Sequence, residues 1–156
     1  WNRSLALARA SRRYRDEHHA PVLRRASELF QRITCGRYAE IRLAENDLYA
    51  VRAGAGAESV LQRHMSEGTR DQIYLALRLA ALEHSHAQGA EPLPLVLDDG
   101  LVHFDDGRTA AMLEVLADVS ARMQVIVFTH HASVVSAVRS LQSAKPETFF
   151  LCCDAD

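Results

Sequence analysis

The sequence predicts an α/β protein: a mostly parallel sheet flanked by helices, with N-terminal helices and a small β-hairpin before it. Three features carry that expectation. LPLVLD at 93–98 and QVIVFT at 124–129 are short, continuous apolar runs of the kind covered on both faces in a parallel sheet. Residues 107–121 between them read as the crossover helix that a parallel pair requires. Residues 69–87 read as a longer helix with Ile73, Leu75, Leu77, Leu79 and Leu82 on several of its sides, which predicts central burial; Thr69 and Gln72 have capping-box spacing.

The other elements follow in chain order. Residues 3–19 and 22–34 read as two helices parted at Pro21, because proline lacks a backbone donor and usually opens a helix. In the second, Val22, Leu23, Ala26, Leu29, Phe30 and Ile33 share one face. YAEIRLAENDLYAVRA at 38–53 alternates on either side of Glu45, Asn46 and Asp47, as an antiparallel hairpin would, and AGAGAES after it reads as a turn. A helix over 132–142 and a strand over 147–153 complete the pattern. The expected division is a helical segment at 1–36 and a single lobe at 37–156.

Composition excludes several classes. With 156 residues, 48% hydrophobic and 24% charged, the chain suits one globular core rather than a disordered or fibrous protein. Its longest apolar runs, such as LVL and VIVF, are far too short to span a bilayer, so no membrane partner is expected. Trp1 stands first, and no signal-peptide core follows, which suggests a piece of a longer protein. Cys35, Cys152 and Cys153 have neither redox nor zinc spacing and point to a reducing cytoplasm; the last two face opposite sides of the expected strand. Net charge is −2, yet residues 1–32 carry eight Arg against three acids, a local excess of +5. Arg12, Arg13, Arg15, Arg24 and Arg25 could meet nucleic-acid phosphates or only solubilise a helix. His18 and His19 diverge on their helix and read as a solvated face.

The chemistry gathers at strand ends. A parallel pairing brings Asp98 and Asp99 to the same carboxyl edge as Thr129, His130 and His131, where ligands bind in open α/β sheets. One carboxylate there can hold Mg²⁺ through its water shell, and a second can polarise an attacking water; Asp98 suits the first role and Asp99 the second. In MSEGTRDQ at 65–72, Ser66, Gly68 and Thr69 lie before or at the start of the long helix. A hydroxyl, a glycine permitting close approach and unpaired N–H groups suit a phosphate, and the same residues suit a plain helix cap. In FDDGR at 104–108, Asp106 and its neighbours are candidate caps for the crossover helix, expected to begin near Gly107.

Taken in order, MSEGTRDQ, LPLVLDD, FDDGR and FTHH resemble the signature motif, Walker B strand, D-loop and switch histidine of ABC-type ATPases. Together with the helix–hairpin region before them, the chain is similar to the C-terminal lobe of the head in SMC-like, SbcC-like and YhaN-like DNA-repair ATPases. The resemblance implies a P-loop NTPase-like fold, ATP and Mg²⁺ as cofactors, and residues 1–36 as the base of a coiled coil. It implies that Ser66, Gly68 and Thr69 meet the γ-phosphate of ATP held by a second head in a homodimer, and that Asp98 holds Mg²⁺ through water. It implies Asp99 as base, Asp105 at the dimer interface, and His130, with His131 competing, at the γ-phosphate. Asp99 departs from the Glu usual in that family, although some SMC-like subfamilies carry the DD pair.

Lys145, between Ala144 and Pro146, is the only lysine, so no GxxxxGK[ST] phosphate loop occurs. The resemblance therefore implies a missing N-terminal lobe carrying Walker A, no ATP hydrolysis by this chain alone, and DNA and a nuclease subunit as partners. Two other classes remain. A metal-dependent hydrolase would use Asp98, Asp99, Asp105, Asp106, His130 and His131 as ligands but leaves MSEGTRDQ unexplained. A non-catalytic interaction module would dock a partner on helices 1–34 and use the acids only as caps.

Overall fold

The computed structural model describes residues 20–44, 47–141, 146, 147 and 149, which fall into two compact units divided between Leu93 and Pro94. In the first unit, helix α1 is described over 20–33. Ala26, Leu29, Phe30 and Ile33 are fully buried, as their spacing predicts. Residues 20 and 21 are both helical, so the described part of α1 already includes Pro21 and does not start at the expected 22. At its other end, Gly36 N donates to Gln31 O at 2.8 Å and Cys35 N to Arg32 O at 3.0 Å, the paired bonds of a Schellman motif. The left-handed residue this motif requires is Cys35, at φ 52°.

Strands β1 (Tyr38–Ala44) and β2 (Asp47–Arg52) pair antiparallel, with Leu43 opposite Leu48 and Ala44 opposite Asp47, as expected for the hairpin. AGAGAES is more than a turn, because Ser59 opens a third strand, β3 (Ser59–Leu61), which pairs with β2. Three residues are too few to carry an alternating pattern. Helix α1 is tied to this sheet by Ser27, whose Oγ donates to Leu23 O at 2.8 Å and accepts the Ile41 N–H at 2.9 Å. Phe30 stacks on Tyr38 with ring centres 5.3 Å apart.

A 3₁₀ turn (Gln62–His64) leads to α2 (Glu67–Ala87). The helix starts two residues before the expected Thr69 because Ser66 is its N-cap. The Thr69–Gln72 capping box is not formed: Gln72 is fully buried, and its carboxamide has no hydrogen-bond partner among the described residues. Ile73, Leu75, Ala76, Leu79 and Ala80 are buried as well, but Leu77 and Leu82 are only half-buried and Tyr74 is 52% exposed, so the helix is not apolar-covered on all the sides expected. Arg25 of α1 grips Glu83 of α2 through Nε to Oε2 at 2.6 Å and Nη2 to Oε1 at 3.2 Å, and its Nη1 reaches Glu28 at 2.9 Å. The hydrogen bond to Glu83 outweighs burial and raises the already high pKa of Arg25. One of the five arginines offered as phosphate contacts is therefore committed to an internal pair.

In the second unit, β4 (Leu95–Asp98) and β5 (Val125–Phe128) pair parallel, joined by α3 (Asp106–Ser120), and α4 (Ala132–Arg139) follows. The register sets Leu95 opposite Val125 and Asp98 opposite Phe128. Leu95, Leu97, Met112, Val115, Leu116 and Val119 are buried. Among the described residues, cover on both faces is not found: Val96 is 42% and Phe128 44% exposed. Helix α4 ends three residues before the expected 142. The expected helix at 3–19, with His18, His19, Arg12, Arg13 and Arg15, lies outside the described residues, as do Cys152, Cys153 and most of the expected strand at 147–153; Glu147 and Phe149, which are described, are in no strand. No described helix is long and apolar enough to cross a membrane.

Candidate functional site

The expected site residues form two sets, one in each unit. In the first, Ser66 adopts an extended backbone (φ −63°, ψ 156°) just before α2, and its Oγ accepts the Thr69 N–H at 3.4 Å. The Ser66 and Thr69 hydroxyls lie 2.9 Å apart, and Gly68 and Thr69 are buried in the first turn. Position and residue type have a simple origin, since serine caps well and the first turn of a helix has N–H groups without helical partners. The resulting end is electropositive, with a hydroxyl beside it.

The second set is built by the parallel pair. The ladder continues one residue beyond β4, where Asp99 N donates to Phe128 O at 3.0 Å. Asp99 then turns into the left-handed region (φ 46°), a conformation aspartate tolerates better than most residues. Across the edge, the chain leaves β5 at Thr129, whose Oγ1 accepts the His131 N–H at 3.1 Å. His130 Nδ1 thereby comes within 2.8 Å of Asp99 Oδ2, and the His130 and His131 rings lie 4.1 Å apart, tilted by 35°. His131 is also the N-cap residue of α4, without a capping bond from its side chain.

Burial pulls the pKa of Asp99 upward, but the hydrogen bond from His130 and the charges of His130 and His131 together pull it further down. The net value lies below the ordinary carboxylate range, so Asp99 is ionised at neutral pH and acts as an acceptor. Its other oxygen, Oδ1, and Nε2 of His131 are both inaccessible to water and have no hydrogen-bond partner among the described residues. Polar atoms in that condition are uncommon and point to a partner that the described residues do not supply.

Asp98 stands exposed at the end of β4, beside this cluster in sequence. Asp105 is the N-cap of α3: its Oδ1 accepts the Arg108 N–H at 2.9 Å, and its Oδ2 lies 3.2 Å from Arg108 Nε. The cap falls on Asp105, while Asp106 is the first helical residue. Of the six acids and histidines considered as a metal cluster, Asp99, His130 and His131 have ligand atoms within 4.8 Å of one another. Sequence reasoning did not single out Gln72 as a buried polar group. Its spacing with Ala76, Leu79 and Ala80 on α2 was the available signal, since those positions share one face of a helix.

No protein-family model matches the sequence. It is 35% identical over 122 residues to the uncharacterized protein YhaN of Bacillus subtilis (strain 168), a match that covers 78% of this chain. The chain spans 12% of that relative's length. Among solved structures, it is similar to a chain studied for ATP-driven dimerization and DNA-stimulated activation of SMC ATPases, with a TM-score of 0.63 and 21% identity over 80% of this chain and 76% of that one. The Smc head of Pyrococcus yayanosii, with a coiled coil and joint, matches with a TM-score of 0.64 and 17% identity over 86% of this chain and 26% of that one. The Smc head of Pyrococcus furiosus, with an extended coiled coil and bound to the C-terminal domain of ScpA, matches with a TM-score of 0.59 and 19% identity over 76% and 30%. The chain is thus SMC-head-like: an α/β fold shared with SMC heads, and a sequence related to YhaN.

Proposed function

We propose that this chain is the C-terminal half of an SMC-like ATP-binding and hydrolysing head, with residues 1–36 at the coiled-coil base and 37–156 as the lobe. The observation that carries the proposal is the Asp99–His130 pair, 2.8 Å apart at the carboxyl edge of a parallel strand pair. Its support comes from the order of motifs along the chain and from the SMC-head fold. Ser66, Gly68 and Thr69 would meet the γ-phosphate of ATP held by a second head, and Asp105 would lie at the interface between heads.

The donor chemistry fits Mg²⁺ with ATP, because that ion takes oxygen ligands and keeps much of its water shell, and the exposed Asp98 carboxylate can accept hydrogen bonds from such waters. When bound, Mg²⁺ would neutralise charge developing on the phosphates. Asp99 is a weak base, because its pKa lies below the usual range. Its contribution is then to fix the His130 ring through Nδ1 and, through the same oxygen, Oδ2, to orient an attacking water. That leaves Nε2 of His130, on a side chain 72% exposed, to donate to a phosphate oxygen when the ring is protonated. The phosphate cradle would come from an N-terminal lobe with Walker A, and DNA and a nuclease subunit would be partners in repair or recombination in the cytoplasm.

The test is ATP turnover by the assembled full-length protein. Asp99→Asn and His130→Ala should each lower kcat about 100-fold or more while nucleotide binding persists. Unchanged turnover in both variants would overturn the assignment.

A further inference from the structure

We propose that Asp99, His130 and His131 form a binding site for a zinc-class divalent ion, distinct from the Mg²⁺ that accompanies a nucleotide. One carboxylate and two imidazoles converge here, with ligand atoms within 4.8 Å of one another. That donor set suits Zn²⁺, Ni²⁺ or Cu²⁺ and not Mg²⁺, which prefers oxygen alone. Two of the three residues also carry an atom that is out of reach of water and lacks a partner among the described residues, Oδ1 of Asp99 and Nε2 of His131. An ion would supply the missing partner to both.

Little movement is needed. Zinc–ligand distances of about 2.0–2.2 Å require the donors to close up by roughly an ångström. The His130 ring is largely exposed and able to rotate, and the backbone on both sides is already held, through the Asp99 N–H on Phe128 O and the His131 N–H on Thr129 Oγ1. Three protein ligands leave a fourth position open, the arrangement of an accessible zinc site rather than a closed structural one. On binding, an imidazole N–H now directed at Asp99 would release its proton, so uptake of the ion would release protons to the buffer.

The experiment is calorimetric titration of the full chain with Zn²⁺ and, separately, with Mg²⁺. One Zn²⁺ should bind per chain, at least about tenfold more weakly in Asp99→Asn and in His131→Gln, with Mg²⁺ giving no comparable heat. His130→Ala, at an exposed side chain, is the variant that keeps the fold if the other two do not, and it should lose affinity to the same degree. His18→Ala with His19→Ala, at the other histidine pair, should leave the tight site intact. Equal affinity and stoichiometry in Asp99→Asn, His131→Gln and His130→Ala, or no Zn²⁺ binding below millimolar concentration, would overturn the proposal. The site does not depend on the ATPase assignment, since binding is read on the chain without nucleotide.

Discussion

Asp99 combines three properties that no single position in the motif LPLVLDD announces: a left-handed backbone, a hydrogen bond from His130, and an oxygen shut away from water. Its lowered pKa has a consequence for stability. A carboxylate whose folded pKa is depressed stabilises the fold fully above its unfolded value, and that contribution fades as pH falls through the ordinary carboxylate range, about pH 4, towards the folded value. Asn tolerates the same backbone but cannot ionise. Thermal melts at a series of pH values should therefore show the gap between the native chain and Asp99→Asn closing on acidification below about pH 4. A second residue-scale prediction concerns Cys35, the left-handed residue after α1. Replacing it by Gly relieves the strain of a Cβ there, and urea unfolding should show a gain of about 0.5–1 kcal/mol.

Helix α2 owes its start to Ser66 and part of its anchorage to Arg25. Ser66→Ala should cost about 1 kcal/mol through loss of the cap. Ser66→Asp separates cap from chemistry: aspartate caps as well as serine, so the melting temperature should hold, whereas a negative charge facing a phosphate should abolish turnover in the assembled protein. Retained turnover in Ser66→Asp would leave Ser66 as a cap alone. Arg25 bridges α1 and α2 through a bidentate contact with Glu83, whose side chain is 9% exposed. Removing the arginine takes a bidentate contact from a nearly buried carboxylate, so Arg25→Met should cost about 1–3 kcal/mol by chemical denaturation, and Glu83→Gln in that background should restore part of it. Both helices were legible from periodicity. Their caps and cross-links were not, because helical spacing specifies which face is buried and leaves open which polar side chains meet across it.

For the molecule as a whole, the sheet in the second unit stands out. Among the described residues it has two parallel strands and exposed apolar side chains at Val96 and Phe128. Its sequence nevertheless reads as strands covered on both faces. That mismatch is expected of a lobe that completes its sheet with chain lying elsewhere, as the head assignment proposes. The same assignment predicts no ATP hydrolysis by this chain alone, and turnover once a polypeptide carrying a P-loop lobe is co-expressed with it. A phosphate-release assay distinguishes the two cases, and activity in the isolated chain would count against the division of labour proposed here.

The sequence by itself determined the α/β class, the succession of α1, the β1–β2 hairpin, α2, β4, α3, β5 and α4, the buried face of α1 and the gathering of Asp99, His130 and His131 at one strand edge. These follow from local periodicity and from the rule that parallel strands end together. Only the tertiary structure decided that Ser66 rather than Thr69 caps α2, that Arg25 is spent on Glu83, and that β3 joins the hairpin. It also decided that Asp99 pairs with His130 while its second oxygen and His131 Nε2 find no partner among the described residues. Such outcomes depend on which polar groups meet over long sequence separations and on which are shut from water, and no short window of sequence contains that information.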